Sequence, residues 1–263
     1  MVPHVVDFVR DRARFLKGLE VRAHLPPGAL GEPGTSVTAT DDRVGTGAIS
    51  CYRVDEHLVI WCDPALEDRV AHLSGPQAIA PDALPDAMSA VDLRPDASAA
   101  MRALITAPAA PPPLLRPLVT RTLDAQNAEH VDRIRAFAAR LDPIDVEQAG
   151  LDDLDDFDEA AIAIVVDERI DNGESATSII AYASAMPWEW DGQFGDIAVL
   201  VDGTHRGAGL GRHVVARTTA ALLDLGRIPL YRHQLDNAAS AAVAASIGFQ
   251  PLTSLVRFRA ADE

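Results

Sequence analysis

The sequence predicts an α/β protein built on a mixed sheet, and three observations from the second half of the chain support this fold class. Short apolar stretches rich in branched residues, typical of buried strands, alternate with stretches in which apolar residues recur at helical spacing. An Asn-Gly pair at 172–173 separates two of the strand-like stretches, as in a hairpin. A glycine-rich turn at 203–211 joins another strand directly to a helix. Together these elements predict the mixed sheet.

The first part of the chain, residues 1–106, carries predicted elements but no motif. Apolar spacing predicts a helix over 5–19, and a stretch rich in Gly, Pro, Thr and Ser predicts a loop over 26–40. Residues 47–54 and 57–62 predict a strand pair, and residues 66–73 predict a short helix. We expect an N-terminal α/β region without a functional motif.

A proline-rich segment, APAAPPP at residues 107–113, interrupts the pattern. Its proline content favours a stiff, extended linker. We therefore predict three parts: an N-terminal region at 1–106, a linker at 107–117 and a second domain at 118–263.

In the second domain the pattern predicts first a helix and then a series of strands. The helix is predicted over 118–141, and the strands over 160–166, 175–184, 196–201, 226–231 and 252–259. An acidic connection at 142–159 lacks the interleaved glycine and terminal glutamate of a calcium loop. We interpret it as a solvated turn and predict no metal site.

The most informative motif is GDIAVLVDGTHRGAGLG, at residues 195–211. A strand passes through a turn into Arg-x-x-Gly-x-Gly, and from Leu210 onward apolar residues recur at helical spacing. Such a helix start aims unpaired backbone N–H groups at one point, where the helix dipole adds positive charge. Glycines let a diphosphate approach the backbone and permit positive φ. We therefore predict a phosphate-binding loop in preference to a tight turn that binds nothing.

The spacing of this loop distinguishes between phosphate-binding families. The register Gly207-x-Gly209-x-Gly211 does not supply the Rossmann fingerprint, and Arg212-His213 stands where a P-loop has Lys-Ser/Thr. The arrangement from Val201 to Gly211 instead resembles the coenzyme A loop of the GNAT acyltransferase superfamily.

A second block supports this resemblance. Asn237-x-x-Ser240 opens a helix that ends at Gly248-Phe249, and the superfamily has such a block at this distance after the loop. Asn237 is also a good N-cap and Gly248 a natural C-terminal stop, so the block has a local structural explanation as well. The chain is identified as a two-part member with a C-terminal GNAT-like domain, and residues 1–106 are compatible with a degenerate half of the same fold.

The resemblance implies acetyl-CoA as cosubstrate. The pyrophosphate would meet backbone N–H groups of the loop, and the strand before it would splay from its neighbour and take the pantetheine like an added strand. The cofactor-binding residues that this implies are Val199, Leu200, Val201, Arg206, Gly207, Ala208, Gly209, Leu210, Gly211, Arg212, Asn237 and Ser240.

The catalytic residues follow from the resemblance and from the needs of amine acylation. Asp196, at the start of the strand, is the first candidate base, and Glu189 in the Trp-containing loop is the second. The family's usual acid is a tyrosine four residues before the helix-ending glycine, where this chain has Ala244. Tyr231 on the adjacent strand, or solvent, could replace that acid.

The resulting functional hypothesis is transfer of an acetyl group from acetyl-CoA to an amine of a small molecule or peptide, by direct attack in a ternary complex. The alternative is a catalytically silent CoA-binding or regulatory protein, because the usual tyrosine is missing. A formal charge of −16 argues against nucleic acid as a partner. The chain has no apolar run long enough to cross a membrane, and we expect a cytoplasmic monomer or homodimer with Cys51 and Cys62 as buried free thiols.

Overall fold

The structure, a computed structural model, describes most of the 263 residues. The described residues are 3–104, 108, 110–114, 118–124, 126–149, 151, 162–169, 177–188 and 191–260. They divide into two compact units. The N-terminal unit comprises Val9–Ala103, His233–Ala238 and Pro251–Glu263, and the C-terminal unit comprises Met1–Phe8, Leu104–Arg232 and Ala239–Gln250.

The N-terminal unit is built on five strands and three helices. In chain order these are α1 (Phe8–Arg22), β1 (Gly34–Ala39), β2 (Ala48–Val54), β3 (His57–Cys62), α2 (Glu67–Val70), α3 (Leu84–Ser89), β4 (Leu93–Leu104) and, from the chain's end, β10 (Phe249–Ala260). The strand order is β1-β3-β2-β10-β4, with β1 parallel to β3 and β2 antiparallel to both of its neighbours. The last strand of the chain thus completes the sheet of the first unit.

The predicted strand pair of this unit is confirmed as β2 and β3, whose residues are almost all buried. The loop predicted over 26–40 is wrong for Gly34–Ala39, which forms β1. The Gly, Thr and Ser in this stretch obscure the strand signal, and pairing with β3 stabilises the extended backbone instead. The domain boundary predicted at 107–117 stays a prediction, although Pro251–Glu263 lies with the N-terminal unit.

The described residues of the C-terminal unit also form five strands, in the order β9-β8-β7-β6-β5. Its elements are β5 (Val119–Leu123), α4 (Ala128–Ala138), α5 (Pro143–Gln148), β6 (Ile162–Arg169), β7 (Thr177–Trp188), β8 (Asp191–Val201), α6 (Leu210–Asp224), β9 (Ile228–His233) and α7 (Ala238–Ile247). The pairs from β5 to β8 are antiparallel, whereas β8 and β9 are parallel. The mixed α/β fold class is confirmed.

One predicted element of this unit is wrong in part. The helix predicted over 118–141 is a strand, β5, followed by a shorter helix, α4. The branched residues of β5 pair with β6, and Asn127 caps α4 by accepting a hydrogen bond from the Glu129 N–H at 3.0 Å. The predicted Asn-Gly hairpin at 171–173 and the aspartates at 152–158 lie outside the described residues.

The period-2 alternation of the strands divides the core of the C-terminal unit between two faces. On one face Ile164 and Val166 of β6 pack with Val214 of α6. On the other face Val165 of β6 packs with Phe137 of α4. The helix that follows the glycine-rich loop, α6, is therefore held in place by packing against one face of the sheet.

The two cysteines and the lengths of the helices can also be compared with the expectations from the composition. Cys51 and Cys62 are free and buried, as expected, and burial raises the pKa of these thiols to about 12 and about 11 respectively. Among the described helices, none combines the length and the apolar character needed to cross a membrane.

Candidate functional site

The predicted glycine-rich loop joins β8 to α6. The Asp202 side chain accepts hydrogen bonds from the Thr204 N–H at 2.9 Å and from the Thr204 hydroxyl at 2.6 Å. The bond from this hydroxyl is the main cause that lowers the pKa of Asp202. Gly207 and Gly209 then adopt φ of +77° and +79°, and Gly209 is the N-cap of α6. These values lie in the left-handed region, which explains why glycine occupies both positions.

The helix start is arranged like an anion site. The first intrahelical bond runs from the His213 N–H to the Gly209 carbonyl at 3.0 Å. The N–H groups of Leu210, Gly211 and Arg212 precede it and have no intrahelical acceptor, and the helix dipole adds positive charge there. The three residues before Leu210 are exposed. This segment can therefore present several N–H groups to one anion.

Just before the loop, alternate residues of β8 direct their main-chain groups away from β7. The Asp202 N–H donates to the Ile180 carbonyl at 3.0 Å, which continues the β7–β8 ladder. Hydrogen-bonded residues alternate along an antiparallel pair, so Leu200 is the next one inward. The N–H and C=O groups of Val199 and Val201 therefore point to the β9 side.

On that side the two strands part. The described pairing between β8 and β9 runs from Phe194–Ile228 to Ile197–Tyr231 and stops there, although both strands continue. The Val201 carbonyl accepts a hydrogen bond from Arg206 Nε at 3.3 Å. The segment Ala198–Val201 can thus offer main-chain groups to an extended ligand, as β-strand addition requires.

The side chains of this segment divide between the two faces of the sheet. Leu200 is buried among the residues packed against α4. Val199 and Val201 lie on the α6 side, close to the position that a Cβ on Gly211 would occupy, at 4.0 and 3.5 Å. Of the three predicted contact residues, Leu200 directs its main-chain groups toward β7 and its side chain toward α4, so only Val199 and Val201 face the side on which the strands part.

Asp196 lies on β8 before the strands part. Its Oδ2 is 2.9 Å from Arg232 Nη2, while Oδ1 is buried and has no hydrogen-bond partner among the described residues. Its side chain is 14% exposed. Burial raises the pKa of Asp196, and Arg232 opposes this shift. A carboxylate that has one oxygen without a partner among the described residues, and a raised pKa, can accept a proton.

Arg232 is a site residue that sequence reasoning missed. Its guanidinium lies 5.6 Å from the centre of the Trp188 ring as well as against Asp196. Asp196 pairs with Leu230 across the strands, so position 232 falls on the same face of the sheet. That alternation is the signal that could have indicated the pair.

The Tyr231 hydroxyl and Ser240 are brought together. The hydroxyl lies 2.8 Å from Ser240 Oγ, and the ring is fully buried with its centre 5.5 Å from that of Phe249. Ala244, at the position of the family's usual tyrosine, is also fully buried. Asn237 immediately precedes α7, and Glu189 lies outside the described residues.

Arg206 has partners of its own beyond Val201. Its Nη2 forms an ion pair with Asp145 of α5, and the side chain is 56% exposed. Nearby, His205 Nε2 lies 3.2 Å from Glu168 Oε2. Farther along α6, His213 contacts the Thr120 hydroxyl and the Pro112 carbonyl, each at 2.9 Å. These contacts attach the loop and its helix to neighbouring elements.

A family model described as FR47-like protein matches residues 181–258. This segment of the chain is GNAT-like. The match includes most of β7 and β8, the glycine-rich loop, α6, β9 and α7. The predicted resemblance to the superfamily is thereby confirmed for residues 181–258.

The chain is also similar to several solved structures. An acetyltransferase from the GNAT family of Colwellia psychrerythraea is 13% identical, over 77% of this chain and 76% of that protein, with a TM-score of 0.47. A GCN5-related N-acetyltransferase from Kribbella flavida is 14% identical over 69% and 65%, with a TM-score of 0.45. A protein of the same description from Sphaerobacter thermophilus is 14% identical over 92% and 63%, with a TM-score of 0.47. The chain thus spans less than two thirds of the latter two proteins. No curated protein gives a match.

Proposed function

We propose that this protein transfers an acetyl group from acetyl-CoA to an amine of a small molecule or peptide. The observation that carries the proposal is the departure of β8 from β9 after Ile197, directly before the loop with left-handed Gly207 and Gly209. The free side of β8 offers main-chain groups to an extended chain, and the loop offers N–H groups to a diphosphate. Acetyl-CoA carries both kinds of group in one molecule.

In the proposed complex the loop binds the pyrophosphate and β8 binds the pantetheine. The anion site consists of backbone N–H groups of the loop. They belong to Arg206, Gly207, Ala208, Gly209, Leu210, Gly211 and Arg212. Main-chain groups of Val199 and Val201 pair with the amides of the pantetheine. Ser240 and Asn237, at the start of α7, are additional proposed contacts. The exposed Arg206 guanidinium adds positive charge, because its ion pair with Asp145 can open.

Asp196 is the proposed general base. An ammonium has no lone pair, so the acceptor must lose a proton before its nitrogen attacks the acetyl carbon. Asp196 Oδ1 has no protein partner among the described residues, and the raised pKa makes the carboxylate a better proton acceptor. Arg232 on Oδ2 keeps the group oriented. Glu189 is the second proposed base.

The carbonyl oxygen becomes negatively charged in the tetrahedral intermediate, and a main-chain N–H of β8 is the proposed donor to it. The nitrogen loses its second proton to solvent as the C–S bond breaks, and coenzyme A leaves as a thiolate, which solvent can protonate. Tyr231 is the proposed alternative acid, with its proton shared with Ser240.

The charge of the chain bears on the acceptor. A formal charge of −16 favours a cationic acceptor over an anionic one, and long-range attraction would raise its encounter rate. The combination of Trp188 and Asp196 also suits a cation, since both already contact the Arg232 guanidinium.

A second candidate function is CoA binding without catalysis. The observation that favours it is the buried Ala244 at the position where the resemblance predicts a tyrosine. In this second candidate the protein binds acetyl-CoA at the same site but does not transfer the acetyl group.

The test combines calorimetry with an amine panel. Titration with CoA and acetyl-CoA should give one site per chain, and release of free thiol from acetyl-CoA should depend on one class of amine. Binding without thiol release for any small amine, polyamine, amino acid or peptide would favour the silent module. No binding of either compound would overturn both.

A further inference from the structure

A hydroxyl and an imidazole form a dyad in the N-terminal unit. Ser36 Oγ lies 2.9 Å from His57 Nε2, and His57 Nδ1 lies 2.7 Å from the main-chain oxygen of Glu32. A carbonyl oxygen can only accept a hydrogen bond, so Nδ1 donates and carries the proton of the neutral ring. Nε2 then has a free lone pair and accepts the hydrogen bond from the Ser36 hydroxyl. The Glu32 carbonyl thus fixes the tautomer that a general base needs.

The sheet holds the two side chains in this arrangement. In the parallel pairing of β1 with β3, Gly34 pairs with His57, and Ser36 lies two residues farther along the same face. A Cβ on Gly34 would lie 3.6 Å from His57 Cε1 and 3.1 Å from the Gly75 carbonyl. Glycine at this position therefore leaves room for the ring. The imidazole is 6% exposed, and Ser36 is half-buried.

A backbone donor lies beside the serine. Gly34 N–H donates toward β3, to the Glu56 carbonyl, whereas Thr35 N–H donates to the opposite side, to the Gly75 carbonyl. Because this direction alternates along a strand, Val37 N–H points to the same side as Thr35, away from β3. β1 is the outer strand in the described sheet order. An N–H from the residue after the nucleophile is a donor that serine hydrolases use.

We propose that Ser36 is a nucleophile activated by His57, in a second site that cleaves small activated esters. Oγ attacks the carbonyl carbon of the ester as its proton passes to Nε2, and the tetrahedral oxyanion accepts a hydrogen bond from the Val37 N–H. The bond to the alcohol breaks, and Nε2 returns the proton to the departing oxygen. Water then cleaves the acyl-serine with His57 again as base, which releases the acid and restores the serine.

This site is separate from the proposed acetyl transfer. Ser36, His57, Glu32 and Val37 all belong to the N-terminal unit, whereas the glycine-rich loop and Asp196 belong to the other. The site needs no coenzyme A, and its test does not depend on the outcome of the acetyl-transfer test.

The test uses a fluorophosphonate probe on the full-length protein. Oγ would attack phosphorus, fluoride would leave with the electron pair of the P–F bond, and the proton would pass to His57. We expect one adduct per chain, mapped to Ser36 by peptide mass spectrometry and lost on unfolding in urea. Ser36→Ala should remove the adduct, and His57→Gln should slow labelling about 100-fold or more, since glutamine cannot take up a proton.

Ser74→Ala is the matched control. Ser74 is exposed and donates to the Thr35 carbonyl at 3.2 Å, with no histidine partner. It should leave the labelling rate unchanged. Thermal unfolding of each variant identifies any loss of fold. The wild-type result alone can overturn the proposal: labelling no faster than in urea, or mapped to another residue, would do so. Equal rates for folded His57→Gln and wild type would also reject it.

Discussion

Arg232 binds one oxygen of Asp196 and leaves the other without a protein partner among the described residues. Nη2 lies 2.9 Å from Oδ2, while the buried Oδ1 accepts no hydrogen bond from any residue that the structure describes. Burial outweighs the guanidinium and raises the pKa of the carboxyl. A buried acceptor with no donor is a cost to the folded state. It is also what a base needs in order to receive a proton from a substrate.

The first prediction concerns this carboxylate. Asp196→Asn should lower kcat for the amine acceptor by about 10²–10⁴-fold, with little change in acetyl-CoA affinity. For the wild type, activity should fall as pH drops through the raised pKa of Asp196, because the protonated carboxyl cannot act as a base. The variant should lose this dependence. The measurement is a pH profile of thiol release.

Stability provides a check on the same variant. A carboxyl whose folded pKa is raised above 3.8 binds its proton more tightly when folded, so its contribution to stability decreases as pH rises through that range. Asp196→Asn should therefore unfold at no lower temperature than wild type at pH 7.

Tyr231→Phe should cost less activity than Asp196→Asn. An inactive Tyr231→Phe beside a fully active Asp196→Asn would reverse the two roles.

The second prediction tests the loop. Gly209→Asn adds a side chain over the proposed phosphate site, and asparagine tolerates the left-handed backbone that Gly209 adopts at φ +79°. CoA should no longer raise the melting temperature of this variant, although it raises that of the wild type by mass action. Gly45→Asn is the control, since Gly45 has φ +76° and lies in the N-terminal unit. A full shift in Gly209→Asn would place the diphosphate elsewhere.

The third prediction concerns a buried carboxylate that two arginines contact. Asp167, fully buried on β6, contacts Arg133 of α4 and Arg121 of β5 at 2.5 and 2.9 Å. Asp167→Ala should lower the free energy of unfolding by about 3 kcal/mol, because it removes the shared partner of both guanidiniums.

Urea unfolding measures this loss, with Asp132→Ala as the control. Asp132 pairs with Arg135 across one turn of α4, and both side chains are more than half exposed. Its loss should stay within about 0.5 kcal/mol. Equal effects of the two variants would show that Asp167 is no more important than a surface carboxylate.

The fourth prediction concerns the last strand. In the described sheet, β10 lies between β2 and β4, and its Leu252, Leu255 and Phe258 are buried. A fragment of residues 114–263 separates β10 from those strands and exposes its apolar side chains. It should be less soluble than the full chain, and co-expression with residues 1–113 should restore solubility. Sedimentation of the lysate reports the result, and a freely soluble, monomeric 114–263 fragment would contradict it.

The sequence alone determined the segment from β8 to α7. Its glycines, its Arg-x-x-Gly-x-Gly spacing and its helix ends act within a few residues of one another, so the pattern specifies the local backbone without reference to the rest of the chain. Gly207 and Gly209 therefore adopt left-handed φ in the turn that follows β8, as their glycine identity indicates.

The tertiary structure alone decided the features that depend on residues distant in the chain. β1 forms because β3 pairs with it, and β10 joins β2 across about two hundred residues. Asp196 becomes a candidate base through burial and the neighbouring Arg232, and Ser36 acquires its histidine from the next strand of the sheet. A pattern of residue types records which side chains a strand presents, but the pKa and the partners of a side chain depend on what packs against it. Those contacts exist only once the strands have paired.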